Sequence, residues 1–147
     1  MSKPSGFTLI EMMMTAAIIS ILATIALPSY TSYLMRGRIP DATSQLAAKR
    51  VRMEQFFQDN RTFVGATAGT LDGNSSAFFD FSTLDDAGVE TRTATGYTLF
   101  ARGKGAMAGF TYAIDASNAR TTEITGVSGW TTKGPVACWV TRAGGQC

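Results

Sequence analysis

The side chains able to do covalent or acid–base chemistry are few in this chain of 147 residues: 11 Asp+Glu, two cysteines and no histidine. Without histidine the commonest general base and the commonest metal ligand are missing. Ser–His–Asp and Cys–His nucleophile systems and His-based zinc sites are therefore excluded. Cys138 and Cys147 alone cannot build a four-cysteine metal site. No catalytic residue, cofactor or metal is assigned. The spacing Asp72–Gly73–Asn74 hints at a calcium loop, but the remaining ligands of such a loop do not follow, and no metal site is read there. Lys49, Arg50 and Arg52 lie close to Phe56 and Phe57, as the residues of a nucleic-acid patch would. Glu54 and Asp59 interrupt them and no wider basic stripe follows, so a helix face that is solvated or faces acidic neighbours is the first reading and DNA contact the alternative.

Glu11 is the carboxylate in the most unusual setting. It sits in Phe7–Leu27, a run that is apolar except at Thr8, Glu11, Thr15, Ser20 and Thr24. As a helix the run rises about 32 Å, enough to cross a hydrocarbon core of about 30 Å. A carboxylate in that layer costs a few kcal/mol unless it is paired or near the interface, so a plain single-pass anchor leaves Glu11 unexplained. A secretory signal peptide has a shorter, uncharged core and a small-x-small cleavage site, which Leu27–Pro28 does not supply.

The elements that follow the apolar run are of another kind. Ser29–Gln58 reads as further helix, with Tyr30 and Tyr33 placed as an interfacial aromatic belt. Pro28 removes a backbone donor and is expected to kink the helix. Arg36–Pro40 is expected to bend or loosen it, with Pro40 and Asp41 restarting it in a first turn. Beyond, Ile39, Ala42, Leu46, Met53 and Phe57 recur near helical spacing, with Val51 and Phe56 flanking, as a stripe on which a sheet packs. All but two of the 15 glycines lie from Gly65 onward, where short strands and tight turns are expected. Tyr97–Arg102, Phe110–Asp115 and Arg120–Thr125 alternate as half-buried antiparallel strands, with a hairpin turn at Ser117–Asn118. The fold class is α+β: a long helix packed on an antiparallel sheet of three or four strands.

Charge is segregated along the chain. Arg36, Arg38, Lys49, Arg50 and Arg52 face only Asp41 in the neck, whereas Asp72, Asp80, Asp85, Asp86 and Glu90 fall in a loop-rich stretch with no basic residue between Arg61 and Arg92. In a repeating assembly such patches on successive subunits could meet and set register; two ordinary solvated surfaces are the alternative. Trp130 and Trp139 are read as core or loop packing.

The string Gly6–Phe7–Thr8–Leu9–Ile10–Glu11, leading an apolar helix that ends in Ala26–Leu27–Pro28–Ser29–Tyr30, resembles the type IV prepilin N-terminus. The resemblance implies a leader at 1–6, a transmembrane and assembly helix at 7–27, its amphipathic continuation at 28–60, and a β-rich globular head at 61–147. It implies cleavage between Gly6 and Phe7 by a prepilin peptidase and N-methylation of Phe7. It further implies a precursor in the inner membrane with its head in the periplasm, then assembly by the inner-membrane pilus machinery with other pilin subunits into an extracellular filament. Adhesion, twitching motility and DNA uptake are the processes such filaments serve. The Phe7 ammonium freed by cleavage lies one helical turn from Glu11, so Glu11 of one subunit can pair with Phe7 of a neighbour and set register, since an unpaired buried charge costs several kcal/mol. Lys3 against Arg36 and Arg38 does not by itself favour export of the head. The leader and an oxidised cysteine pair decide that orientation. In an exported chain Cys138 and Cys147, which enclose eight residues, are most simply a disulfide. The Cys138–Trp139 ending closed by Cys147 looks somewhat like minor pilins of the PilE kind. Ser20 stands where the family usually has a helix-breaking glycine, which weakens the expectation that the helix melts between Ser20 and Pro28. A type II secretion pseudopilin and a DNA-binding competence pilin share this N-terminus and are the alternatives.

Overall fold

The computed structural model describes residues 6–147; of the leader only Gly6 is among them. The chain forms one helix, α1 (Leu9–Asn60), then strands β1 (Phe79–Ser82), β2 (Thr98–Gly103), β3 (Phe110–Asp115) and β4 (Arg120–Ile124). Short 3-10 turns lie at Thr67–Gly69 and Gly105–Met107. Two compact units are present, one ending at Leu34 and the other running Met35–Cys147.

In the first unit the helical hydroxyls turn back on their own backbone. Thr15 Oγ1 donates to Met12 O at 2.9 Å, Ser20 Oγ to Ala16 O at 2.7 Å and Thr24 Oγ1 to Ile21 O at 2.7 Å. Each polar group is thereby satisfied without a partner outside the helix, which lets the stretch remain chemically apolar. From Leu9 to Leu27 its leucines, isoleucines and methionines are solvent-exposed in the single chain, Leu9 at 80% and Ile25 at 68%. The stretch is long and apolar enough to cross a membrane by length and composition.

In the second unit α1 buries Ile39, Ala42, Leu46, Lys49 and Met53, a repeat of three and four that makes one face. This corrects the expected stripe at two points: Val51 is exposed, and Lys49 occupies the buried face. The helix also runs through Gly37 and Pro40 without a break, so Pro40 does not open a new helix. It deprives the Arg36 carbonyl of its usual amide donor, and the Thr43 hydroxyl bonds back to Pro40 O at 3.3 Å within the same turn.

The four strands pair in chain order, all antiparallel. Alternation places Phe79 and Phe81, Leu99 and Ala101, Phe110, Tyr112 and Ile114, and Thr122 and Ile124 on the buried side, against the helix face. The three expected strands are present with ends shifted by at most a residue, and β1 is the fourth. The β3–β4 turn holds Asn118 at φ 69°, with Asp115 Oδ1 accepting from the Ala119 amide at 2.8 Å. Loops occupy both outer edges of the sheet. Asp72 exchanges two backbone hydrogen bonds with Phe81 of β1, at 2.8 and 2.9 Å, and Thr122 of β4 exchanges two with Val136, at 3.0 and 2.8 Å.

Cys138 and Cys147 are joined as a disulfide with Cα atoms 6.0 Å apart. The segment entering that loop is fixed by side chains of the sheet. Thr122 Oγ1 donates to Cys138 O and accepts from the Val140 amide, at 2.7 and 3.0 Å. The Tyr112 hydroxyl donates to Val140 O at 2.9 Å and Trp139 Nε1 to Ala113 O at 3.0 Å. Trp130 is buried edge-on to Phe110, with centroids 5.4 Å apart, and the Arg120 guanidinium lies over the half-buried Trp139 ring.

Candidate assembly site and the charged surfaces of the head

At the start of α1, Thr8 and Glu11 form a reciprocal cap. The Thr8 amide and hydroxyl both donate to Glu11 Oε2, and the Glu11 amide donates to Thr8 Oγ1, each at 3.3 Å. This is the S/T-x-x-E capping box, which satisfies amide donors that a helix start leaves orphaned. The acidic charge in the first turn also complements the positive end of the helix dipole. Both bonds to the carboxylate use Oε2, so among the described residues Oε1 has no partner and can accept from a cation brought close. Phe7, directly before the cap, is 79% exposed. The geometry therefore puts an anion one turn inside an apolar rod, next to the residue whose amine a cut after Gly6 would release. The capping box is readable from Thr8–Glu11 spacing alone, yet it escapes an approach that looks at Glu11 only for a charge partner.

In the head the expected separation of basic neck and acidic loop is largely cancelled within the chain. Lys49 is only 6% exposed and its ammonium meets Asp72 Oδ2 at 2.7 Å, with the Phe81 ring 5.5 Å away. The Lys49 pair, with help from the Ser75 hydroxyl, holds the Asp72 carboxyl well below the ordinary carboxylate range. Asp72 Oδ1 accepts from the Asn74 and Ser75 amides at 3.1 and 3.0 Å. The oxygens that might have held calcium instead hold an ammonium and a turn. Lys104 pairs with Asp80 at 2.7 Å, Arg102 with Asp86 at 2.8 Å and Arg92 with Glu90 at 2.5 Å. Burial works to raise the Glu90 carboxyl, but hydrogen bonds from Arg92 and Thr83 outweigh it and bring it down to about 2. Four of the five carboxylates of the stretch thus have a basic partner within the chain, which thins the acidic patch that a register role between subunits would use and leaves Asp86 as its most exposed member. The fifth, Asp85, caps its own turn.

The basic trio separates likewise. Lys49 faces an acidic neighbour, Asp72, while Arg52 is exposed and Arg50 half-buried with Nε unpartnered among the described residues. Beside Arg52 lies an open depression of about 520 Å³ walled by Phe56, Thr67, Thr70 and Leu71. Among the described residues no group of three or more metal-type ligands occurs.

The depressed carboxyls carry a pH prediction. A folded-state value of about 2 for Glu90 against an ordinary 4.5 means that the unfolded chain takes up its proton first. The stabilisation is present above about pH 4.5 and is lost as the pH falls toward 2, with Asp72 acting in the same direction. Urea midpoints of the detergent-solubilised chain, followed by tryptophan fluorescence, are expected to stay level between about pH 8 and 5 and then decline steadily. A level profile down to about pH 3 would contradict the pairing.

Residues 1–27 match the family described as the prokaryotic N-terminal methylation motif, and residues 28–122 match the one described as "Type IV minor pilin ComP, DNA uptake sequence receptor". A probable minor fimbrial protein of Dichelobacter nodosus is 38% identical over 76 residues, covering 52% of this chain and 48% of that protein. Fimbrial protein EcpC of Eikenella corrodens is 32% identical over 106 residues, covering 67% of this chain and 69% of that one. The match spans about half the length of the Dichelobacter protein. In the crystal structure of the non-core minor pilin PilV of Neisseria meningitidis, 94% of that chain superposes on 66% of this one with a TM-score of 0.54 and 16% identity, a likeness of fold.

Proposed function

This chain belongs to the type IV pilin family, and from that premise we propose that it is a structural subunit, major or minor, of a type IV pilus. The observation that carries the reading is the apolar, exposed N-terminal helix headed by Phe7 and the capped Glu11. A helix of that composition needs lipid or neighbouring helices around it, and a filament core supplies the second after the membrane has supplied the first. On this reading a prepilin peptidase cuts between Gly6 and Phe7, Phe7 is N-methylated, and the precursor waits in the inner membrane with its head in the periplasm. The new Phe7 amine finds Glu11 Oε1 of a neighbour within the pilus. Pro28 and Pro40, each lacking an amide donor inside α1, are where the helix is expected to bend on packing. The role is mechanical and not catalytic. The Cys138–Cys147 loop favours a pilin over a type II secretion pseudopilin, whose head typically lacks a terminal disulfide.

Mass spectrometry of the mature chain tests this directly. The expected N-terminal peptide begins at a methylated Phe7; an intact Met1 start in cells containing prepilin peptidase would sink the reading.

A second reading, DNA reception within the same filament, is favoured by the description of the family matched at residues 28–122. Since Lys49 is taken by Asp72, the neck offers DNA only Arg50 and Arg52 of the original trio.

A further inference from the structure

With loops on both outer edges of the sheet, another head cannot be joined by adding a strand, and contact must run through side chains. Two surface features combine an exposed apolar side chain with a charge after the internal pairs are made. The first is the depression beside Arg52. Arg52 has no ion-pair partner among the described residues, and Leu71 on the wall is 70% exposed. The second is the turn Asp85–Val89. Asp85 Oδ1 accepts from the Ala87 and Val89 amides at 2.9 and 2.8 Å, and Gly88 at φ +76° closes the bend, so the turn is built before any partner arrives. It projects Val89, 59% exposed, and Asp86, whose side chain is 81% exposed. The bond from Arg102 to Asp86 is a surface pair worth about 0–1 kcal/mol and is easily exchanged.

The exposed large hydrophobics described in the head are Val51, Val64, Leu71 and Val89. One precedes Arg52 in the helix, one lines the depression and one tops the turn. Each feature thus joins an apolar side chain to a charge: at the depression Lys49 and Asp72, which also line it, cancel as a pair and leave Arg52 as the net positive charge, and the turn is negative. The turn contributes no residue to the depression of its own chain. We propose that the Asp85–Val89 turn of one copy docks into the Arg52–Leu71 depression of a second copy, Asp86 meeting Arg52 and Val89 meeting Leu71. A turn already closed by its own hydrogen bonds loses little conformational freedom on docking. The opposite charges disfavour wrong placements of the two heads. The proposal rests on the filament-subunit reading and supplies it with a contact between heads.

The test uses the full chain in cells that make filaments. In a variant carrying both Leu71→Cys and Val89→Cys, mild oxidation of sheared filaments is expected to convert most of the chain into covalent multimers of itself, and either single variant should stay monomeric. Arg52→Glu or Asp86→Lys alone should lower the filament-borne chain about tenfold, and the two together should restore it to within about twofold. Monomers in filaments from the double-cysteine variant, linkage to a different subunit, or no rescue by the double reversal would overturn the docking and leave the subunit reading intact. Absence of the unaltered chain from filaments would overturn both.

Discussion

Replacing Gly103 by alanine is expected to leave the chain without a cooperatively folded head. A Cβ at this position would lie 1.8 Å from the Met107 carbonyl oxygen, 2.7 Å from its carbon and 3.1 Å from Phe110 O. All three are backbone atoms, so no rotamer change can relieve the overlap. Gly103 ends β2 opposite Phe79, and the chain turns at once through Gly105–Met107 into β3. Met107 is fully buried, so lifting the turn off the new methyl would pull a core side chain with it. The cost should exceed about 3 kcal/mol, a large fraction of the roughly 5–15 kcal/mol that holds a domain together. Gly105→Ala is the control. Its Cβ meets open space and its φ of +55° lies in the left-handed region, so it should lose only about 1 kcal/mol. Urea unfolding of the detergent-solubilised variants reads the difference: Gly103→Ala should show no cooperative transition and Gly105→Ala one with a slightly lowered midpoint, and equal losses in the two would show that the overlap is not what matters.

Substitution of Glu11 should produce the largest functional loss, and the capping box dictates how to read it. Valine removes both the charge and the cap acceptor, so its phenotype alone cannot separate register from helix nucleation. Glutamine keeps an oxygen for the Thr8 amide and removes the charge. Thr8→Ala keeps the charge and removes the hydroxyl that bonds the Glu11 amide. If pairing with a neighbour's Phe7 amine is the main role, Glu11→Val and Glu11→Gln should both be processed normally and yet fall at least about tenfold in sheared filaments, as expected for an unpaired buried charge. Thr8→Ala should lose at most about fivefold, the factor that a cap worth about 1 kcal/mol at an exposed helix end corresponds to. Normal filament incorporation by Glu11→Val would refute the pairing, and a Thr8→Ala loss as deep as that of Glu11→Gln would assign Glu11 to the cap.

What the sequence disclosed and what it hid divide along the line between local and distant interactions. Alternation in Phe110–Asp115 and Arg120–Ile124 reports a strand with one buried face, and it reports this from within the segment. The prepilin-type start is equally local, as is the Asn118 turn. β1 escapes because Phe79–Ser82 is four residues long and lies in an acidic, loop-rich stretch; its pairing with β2 and with Asp72 makes it a strand. Lys49 escapes for a similar reason. On a helix surface a lysine belongs in water, and only the arrival of Asp72, 23 residues later, makes its burial tolerable. The same distance effect thins the expected acidic patch, since Lys104 and Arg102 lie outside the stretch whose carboxylates they pair with. Pro40 misleads in the other direction. Its local preference is to begin a helix, but burial of Ile39, Ala42 and Leu46 against the sheet carries the helix straight past it.

The loops along the two outer strands have a consequence for how such a protein can be kept. A subunit held in a membrane at high surface density is a crowd of neighbours waiting, and bare strand edges in a crowd zip together into deposits that do not come apart. Asp72 on one side and Val136 on the other take the edge hydrogen bonds in advance. Heads can then be stockpiled side by side without committing to one another.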